Sequence, residues 1–332
     1  MPTPYQHLRL GYFGDGAWAR RGLELILADP HLEVAFVCPR HPRPDRELVD
    51  MARSAGLPVE SWPDVNQPQA LEAIAAYRCH LLVSMSFDQI LRRPILESTP
   101  LGFINCHAGE LPFYRGRNVL NWALINGEDH FGVTVHFVDT GIDTGDIILQ
   151  ERIPLSPQDD YAGALAKATE ACPRLLHQAI DLLRRGQAKP IPQHTIHPVG
   201  TYFCRRRPGD EYLDWSWPSA RLLDFIRALA HPGPGARTWH GQQELVIRQA
   251  QAIPQAPAYL ATPGEVVGRT PQGVVVKTGD TTILVTKAAP PGAEPQTPRL
   301  PLGTRLGRDP WQEITRLQNE LQALKRKLDQ RG

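Results

Sequence analysis

Short apolar runs alternate with amphipathic stretches through the first half of the chain. Leu8-Arg-Leu-Gly-Tyr-Phe13 reads as a strand, Gly14-Asp-Gly16 as a tight turn and Ala17–Ala28 as a helix. Glu33-Val-Ala-Phe-Val-Cys38 is a second strand and Asp45–Ala55 a second helix. His80-Leu-Leu-Val-Ser84 is a continuous apolar run, the pattern of a strand buried on both faces. Strand and helix in alternation predict an α/β domain with a parallel, Rossmann-like sheet. Asp160–Arg185 is a long helical stretch stopped by Gly186, with arginines in its last turn where the helix dipole favours cations.

The pattern changes after Pro190-Ile-Pro-Gln-His-Thr-Ile-His-Pro198, which reads as a linker. A catalytic domain is expected over residues 1–190 and a smaller domain over 200–306. The smaller one opens with a helix at Ser219–Leu229. Short strands follow at Glu244–Arg248, Gly273–Lys277 and Thr282–Thr286, set among prolines and glycines as in a small open barrel. Residues 307–332 form a separate C-terminal helix. Its Ile314, Leu317, Leu321, Leu324 and Leu328 are spaced by threes and fours, the seam of a coiled coil. Two heptads are too few to hold alone, which leaves docking on its own domain and a homodimer contact both open.

Composition narrows the class. A net charge of +1 advertises neither nucleic acid nor a membrane surface. Five cysteines without a Cys-x-x-Cys pair suit a reduced, cytoplasmic enzyme better than a disulfide scaffold or a zinc site. The first residues lack an apolar signal core, and no stretch approaches about 18 uncharged apolar residues, so a soluble protein is expected. Gly14-x-Gly16 has arginine where a third dinucleotide-binding glycine would stand, which argues for a plain turn and against NAD. His130, His136, His194 and His197 lack the spacing of a helical metal pair and read as surface or core residues; no metal is expected.

Chemistry concentrates in Phe103-Ile-Asn-Cys-His-Ala-Gly-Glu-Leu-Pro-Phe-Tyr-Arg-Gly-Arg117 and Asp139-Thr-Gly-Ile-Asp-Thr-Gly-Asp146. In a strand Asn105 and His107 share a face while Cys106 points back. The Pro- and Gly-rich continuation would present that pair at an open sheet edge, where α/β proteins bind ligands. Asp143, between Gly141 and Gly145, lies on backbone able to fold back over it. An amide that donates to an oxyanion, an imidazole that moves a proton near neutrality and a carboxylate that orients the ring are the parts of an acyl transfer.

Asn-x-His-x-x-x-Leu-Pro-x-Tyr-Arg-Gly, followed by Gly-Val-Thr-x-His and Asp-Thr-Gly-Asp-Ile, resembles the folate-dependent formyltransferase family. That family embraces methionyl-tRNA formyltransferase, glycinamide ribonucleotide transformylase and the sugar-nucleotide N-formyltransferases. The resemblance is dense from Leu81 to Leu183. It implies a Rossmann-like catalytic domain, an OB-like second domain, and catalytic roles for Asn105, His107 and Asp143. It also implies 10-formyltetrahydrofolate as formyl donor, held near Gln89, Ile90, Leu91, Arg117 and along Asp139, Thr140, Gly141 and Ile142.

For the acceptor amine the resemblance leaves three readings. Arg115–Glu128 and Phe203–Trp215 look like the formyltransferase domain that acts on UDP-4-amino-4-deoxy-L-arabinose, which implies a sugar nucleotide. A methionyl-tRNA formyltransferase would be expected to carry a longer, lysine-rich loop than Pro39-Arg-His-Pro-Arg-Pro-Asp45, since phosphate neutralisation dominates tRNA affinity. A non-catalytic scaffold would have no use for the three catalytic side chains. Glu110 and Asn118 depart from the common pattern. Glu110 is expected either to steer a cationic amine or to face water. The triplet Arg205-Arg-Arg207 is expected to support folded structure rather than nucleic acid.

Overall fold

The computed structural model describes residues 4–308 and 310–329. The chain divides into two compact units, residues 1–123 with 128–206 and residues 124–127 with 207–332. In the first unit β1 (Leu8–Gly14), β2 (Leu32–Cys38), β3 (Leu81–Met85) and β4 (Phe103–His107) are mutually parallel. Helices α1 (Gly16–Leu27), α2 (Arg46–Ser54), α3 (Pro68–Ala76) and α4 (Arg93–Leu96) fall between them. After β4 come β5 (Arg115–Gly116), α5 (Val119–Ile125), β6 (His130–Phe137), β7 (Ile147–Pro154) and α6 (Tyr161–Arg184). The six-stranded sheet has the order β2-β1-β3-β4-β6-β7.

The expected parallel sheet is therefore its first four strands. β6 runs antiparallel to β4, and β7 antiparallel to β6, so β6 alone opposes the other strands. Asp45 and Asp160 cap α2 and α6 by accepting from the Glu47 and Gly163 amides. Helix α6 packs on α1, β4, β6 and β7 and buries Ala168, Cys172, Leu175, Leu176, Ala179 and Ile180. Cys106 faces this layer, its Sγ 3.4 Å from the Cys172 carbonyl, so Asn105 and His107 face the other way.

The proline-rich stretch read as a linker belongs to the first unit. Ile191 bridges Ile147 at the start of β7, and β8 (Tyr202–Phe203) pairs in parallel with β5. Pro192 is extended, and the chain then makes a single 3-10 turn at Gln193–Thr195.

The second unit contains α7 (Ser219–Ala228), β9 (Ala236–His240), β10 (Gln243–Ala252), β11 (Val266–Thr270), β12 (Gly273–Lys277) and β13 (Thr282–Ala289). Its sheet is antiparallel throughout, in the order β11-β12-β13-β10-β9. Arg305 bridges Glu265 at one edge and Leu306 bridges His240 at the other, so one segment covers both open edges. Leu222, Phe225 and Ile226 of α7 pack with Val274, Val276, Ile283 and Val285 into a single core. In α8 (Pro310–Asp329) Ile314, Leu317, Leu321 and Leu324 are 44–58% exposed, and the Leu328 side chain lies outside the described residues. Among the described residues no helix is long and apolar enough to cross a membrane.

Candidate active site

Three neighbouring strands place four polar side chains on the sheet face opposite α6. The register aligns Ser84 of β3 with Asn105 of β4, and Asn105 with His136 of β6. Ser84 Oγ donates to Asn105 Oδ1 at 2.7 Å. That bond fixes the amide and leaves Nδ2 as its donor, 3.4 Å from His136 Nε2. His136 is buried, and its Nδ1 must carry a hydrogen because it bonds the Phe137 carbonyl at 2.7 Å. Nε2 is left facing the Asn105 amide. His136, expected to be a surface or core residue, is a buried one that stands beside the Asn105 amide, placed there by a β6–β4 pairing that spacing rules cannot show.

His107 is held by an unexpected group. Its Nε2 donates to the Tyr114 carbonyl at 2.7 Å, which leaves Nδ1 facing Asp143 Oδ2 at 3.8 Å. That separation allows electrostatic attraction and exceeds a hydrogen bond. Asp143 was expected to orient the ring; the Tyr114 carbonyl does so, and the carboxylate acts on it by charge. Asp143 Oδ2 accepts from the Gly116 amide at 2.8 Å and Oδ1 lies 3.6 Å from His136 Nε2. Burial pushes the Asp143 carboxyl up, but His107, His136 and the Gly116 N–H outweigh it and hold the group well below the usual carboxylate range.

β6 runs antiparallel to β4, so it ends beside Phe103, where the Val138 amide bonds the Phe103 carbonyl at 2.8 Å. The chain then turns back and brings Asp143 beside His107 and His136. Asp139 Oδ1 accepts from the Gly141 amide at 3.0 Å and from Thr144 Oγ1 at 2.6 Å, which tightens the turn. Asp143 itself sits at φ +54°, a left-handed conformation that costs of order 1 kcal/mol outside glycine. At Gly145 a Cβ would lie 1.9 Å from the Phe137 carbonyl oxygen, so only glycine closes this hairpin.

These side chains line a cleft of about 640 Å³. Ile90, Leu91, Arg117, Asp139, Gly141 and Ile142 border it, while Thr140 is exposed and is not on its wall. Gln89 also borders it, but its carboxamide is committed elsewhere. Nε2 donates to the Trp62 carbonyl and Oε1 accepts from the Val65 amide, each at 2.8 Å, bracing the loop that follows β3. Arg117 is exposed and donates to the Asp88 carbonyl at 3.1 Å. Apolar Leu91, Val138 and Ile142 beside main chain from two loops suit a flat heteroaromatic ring with a polar rim, as a pterin is. No cluster of metal ligands occurs among the described residues.

Glu110 fits neither expectation. It is ion-paired with His130 at 2.6 Å and Arg152 at 2.6 Å, tying the loop after β4 to β6 and β7. Asn118 accepts from the Arg206 amide at 3.1 Å and also lines the cleft. Arg205 is exposed at the cleft, whereas the Arg207 amide bonds Asp210, so the basic triplet is divided between cleft and fold.

A donor amide, an imidazole with one nitrogen facing a buried carboxylate, and an adjoining cleft define an acyl-transfer site on an α/β sheet. Residues 32–180 match the family model for formyl transferase, and residues 206–302 the model for the formyl transferase C-terminal domain. The chain belongs to the folate-dependent formyltransferase family. Solved structures share its fold at low identity. An N-formyltransferase from Helicobacter canadensis, in complex with folinic acid and dTDP-3-aminofucose, is 19% identical with a TM-score of 0.64, over 84% of this chain and 99% of that one. WlaRD, a sugar 3N-formyltransferase solved with dTDP and 5-N-formyl-THF, is 18% identical with a TM-score of 0.63, over 84% and 97%. HypX from Aquifex aeolicus, in complex with tetrahydrofolic acid, is 20% identical with a TM-score of 0.57, over 87% of this chain and 45% of that one. The chain thus spans about half the length of HypX.

Proposed function

We propose that the chain transfers a formyl group from 10-formyltetrahydrofolate to a primary amine on a nucleotide-linked deoxy sugar. The observation that carries this reading is the convergence of Asn105, His107 and Asp143 at one cleft. When bound, 10-formyltetrahydrofolate supplies the activated formyl group. Asn105 Nδ2 would donate to the formyl oxygen as it gains charge. His107 Nδ1, the nitrogen the Tyr114 carbonyl leaves free, would take the proton of the attacking amine and pass it to the donor's nitrogen as that nitrogen's bond to the formyl carbon breaks, with Asp143 stabilising the imidazolium between the two transfers. Gln89–Leu91, Arg117 and Asp139–Ile142 are the proposed folate surface, Gln89 through the loop it braces.

The acceptor follows from the cationic groups. Arg40 donates to the Ser86 carbonyl at 2.8 Å at the cleft, and Arg117 and Arg205 are exposed there. Three arginines suit a diphosphate, whereas tRNA calls for a longer basic surface. The dTDP in WlaRD and the dTDP-3-aminofucose in the Helicobacter canadensis enzyme support the same class. Incubation with 10-formyltetrahydrofolate and a panel of nucleotide amino sugars and charged tRNA should give a formyl mass gain on a sugar, falling only modestly with salt. Formylation of Met-tRNA with every amino sugar inert would establish the tRNA reading instead. Calorimetry with a stable folate analogue should show one site per chain, unchanged by a chelator.

The remaining readings follow from the second unit and the thiols. We read the second unit as OB-like. The cytoplasm is the proposed setting, given five free thiols. A homodimer is proposed through α8, whose half-exposed seam suits a parallel pair in which Glu320 of one copy faces Lys325 of the other. Leu317→Asp should abolish a concentration-dependent dimer in sedimentation equilibrium, and a wild-type protein monomeric at every concentration rules the dimer out.

A further inference from the structure

Gln193 lies between the two family-matched regions and is 2% exposed. Its carboxamide satisfies every bond it can make. Both Nε2 hydrogens go to the Asp143-bearing loop, to the Asp143 carbonyl and the Gly145 carbonyl, each at 2.8 Å. Oε1 accepts from Arg115 Nε at 3.0 Å and Nη2 at 2.7 Å. Arg115 is bonded through the chain to Gly116, whose amide donates to Asp143 Oδ2 at 2.8 Å. The bonds form a closed circuit: Asp143 main chain to Gln193, Gln193 to Arg115, Arg115 to Gly116, and Gly116 to the Asp143 carboxylate.

We infer that Gln193 is a positioning residue of the active site, holding Asp143 in its left-handed conformation so that its carboxylate stays at His107 and His136. Three observations separate this from ordinary packing. The residue it holds carries the catalytic charge and sits at φ +54°. That residue is held at both ends, its carbonyl by the Gln193 side chain and its carboxylate by the Gly116 amide. The segment supplying Gln193 is itself anchored, by Ile191 to Ile147 in two backbone bonds of 2.9 and 2.8 Å and by Arg115 Nη1 to the Val199 carbonyl at 2.9 Å. The inference rests on the reading of Asp143 given above.

Gln193→Glu isolates the clamp, because a carboxylate of the same shape keeps Arg115 but has no hydrogen for either carbonyl. Three readouts apply to the full-length protein. They are thermal stability, turnover read as tetrahydrofolate released with the amino sugar formylated fastest in the panel, and the Asp143 carboxyl titration by carbon-13 NMR, assigned with Asp143→Asn. Turnover should fall about 10- to 100-fold, as for a misplacement near 1 Å, with KM for 10-formyltetrahydrofolate within about threefold. The Asp143 titration should move up towards ordinary carboxylate values as the carboxylate loosens from its partners. If Gln193→Glu does not fold, Arg115→Lys breaks the fork to Gln193 more gently and should give smaller changes of the same sign. Unchanged turnover and unchanged titration in a folded variant overturn the inference. Near-normal turnover in Asp143→Asn is a distinct outcome that overturns the reading of the site itself, and the inference with it.

Discussion

Asn105→Ala, His107→Ala and Asp143→Ala should each lower turnover by about two orders of magnitude or more. Removal of one oxyanion donor costs about 10²- to 10³-fold, and loss of a positioned general base about 10²- to 10⁴-fold, where such groups have been tested. The geometry adds a stronger expectation. Asp143 lies 3.8 Å from His107 Nδ1 and acts only through its neighbours, so a double replacement of His107 and Asp143 should cost little more than His107 alone. Steady-state kinetics with the true acceptor measures both. A His107→Ala protein with near-normal turnover removes the proposed mechanism.

Gly109→Ala should impair catalysis without replacing any of the three proposed catalytic residues. A Cβ at Gly109 would lie 2.4 Å from the Tyr114 carbonyl oxygen and 2.5 Å from His107 Nε2. Those two atoms are bonded to each other at 2.7 Å, so the methyl group must drive them apart. One is main chain, which cannot swing aside as a flexible side chain would. Overpacking of this kind costs about 1–3 kcal/mol of stability, and the ring loses the bond that fixes its free nitrogen. Turnover should drop at least about tenfold, with folate-analogue affinity within a few-fold, since a small misplacement of the reacting group is enough. Wild-type turnover in a folded Gly109→Ala protein shows that the Tyr114 carbonyl has no part in orienting His107.

The sequence conveyed most where one local cause decides the outcome. The apolar runs of β1, β2 and β3 are buried by helices, and Asp45 and Asp160 cap helices whose starts they announce. The face rule put Asn105 and His107 together, opposite Cys106. It was silent where tertiary pairing decides. His130-Phe-Gly-Val-Thr-Val-His-Phe137 is buried along most of its length and joins the sheet antiparallel, so neither its direction nor the partnership of His136 with Asn105 can be read locally. Metal-ligand spacing describes helices, and His136 lies on a strand beside Asn105. Gln193 was hidden for another reason: it opens a short 3-10 turn between prolines, and what such a turn touches depends on the tertiary structure beside it.

The anchoring of the 190–206 segment also sets an order of events during synthesis. Asn105, His107 and Asp143 have all left the ribosome before Gln193 does, and β5 waits still longer for β8. Domains generally acquire structure from the N-terminus as they emerge. A nascent chain would therefore display Asn105, His107 and Asp143 while the segment that carries Gln193 is still inside the exit tunnel. Competence would come with one late docking step, so a chain truncated near residue 190 should hold the reactive groups without the tension that aligns them.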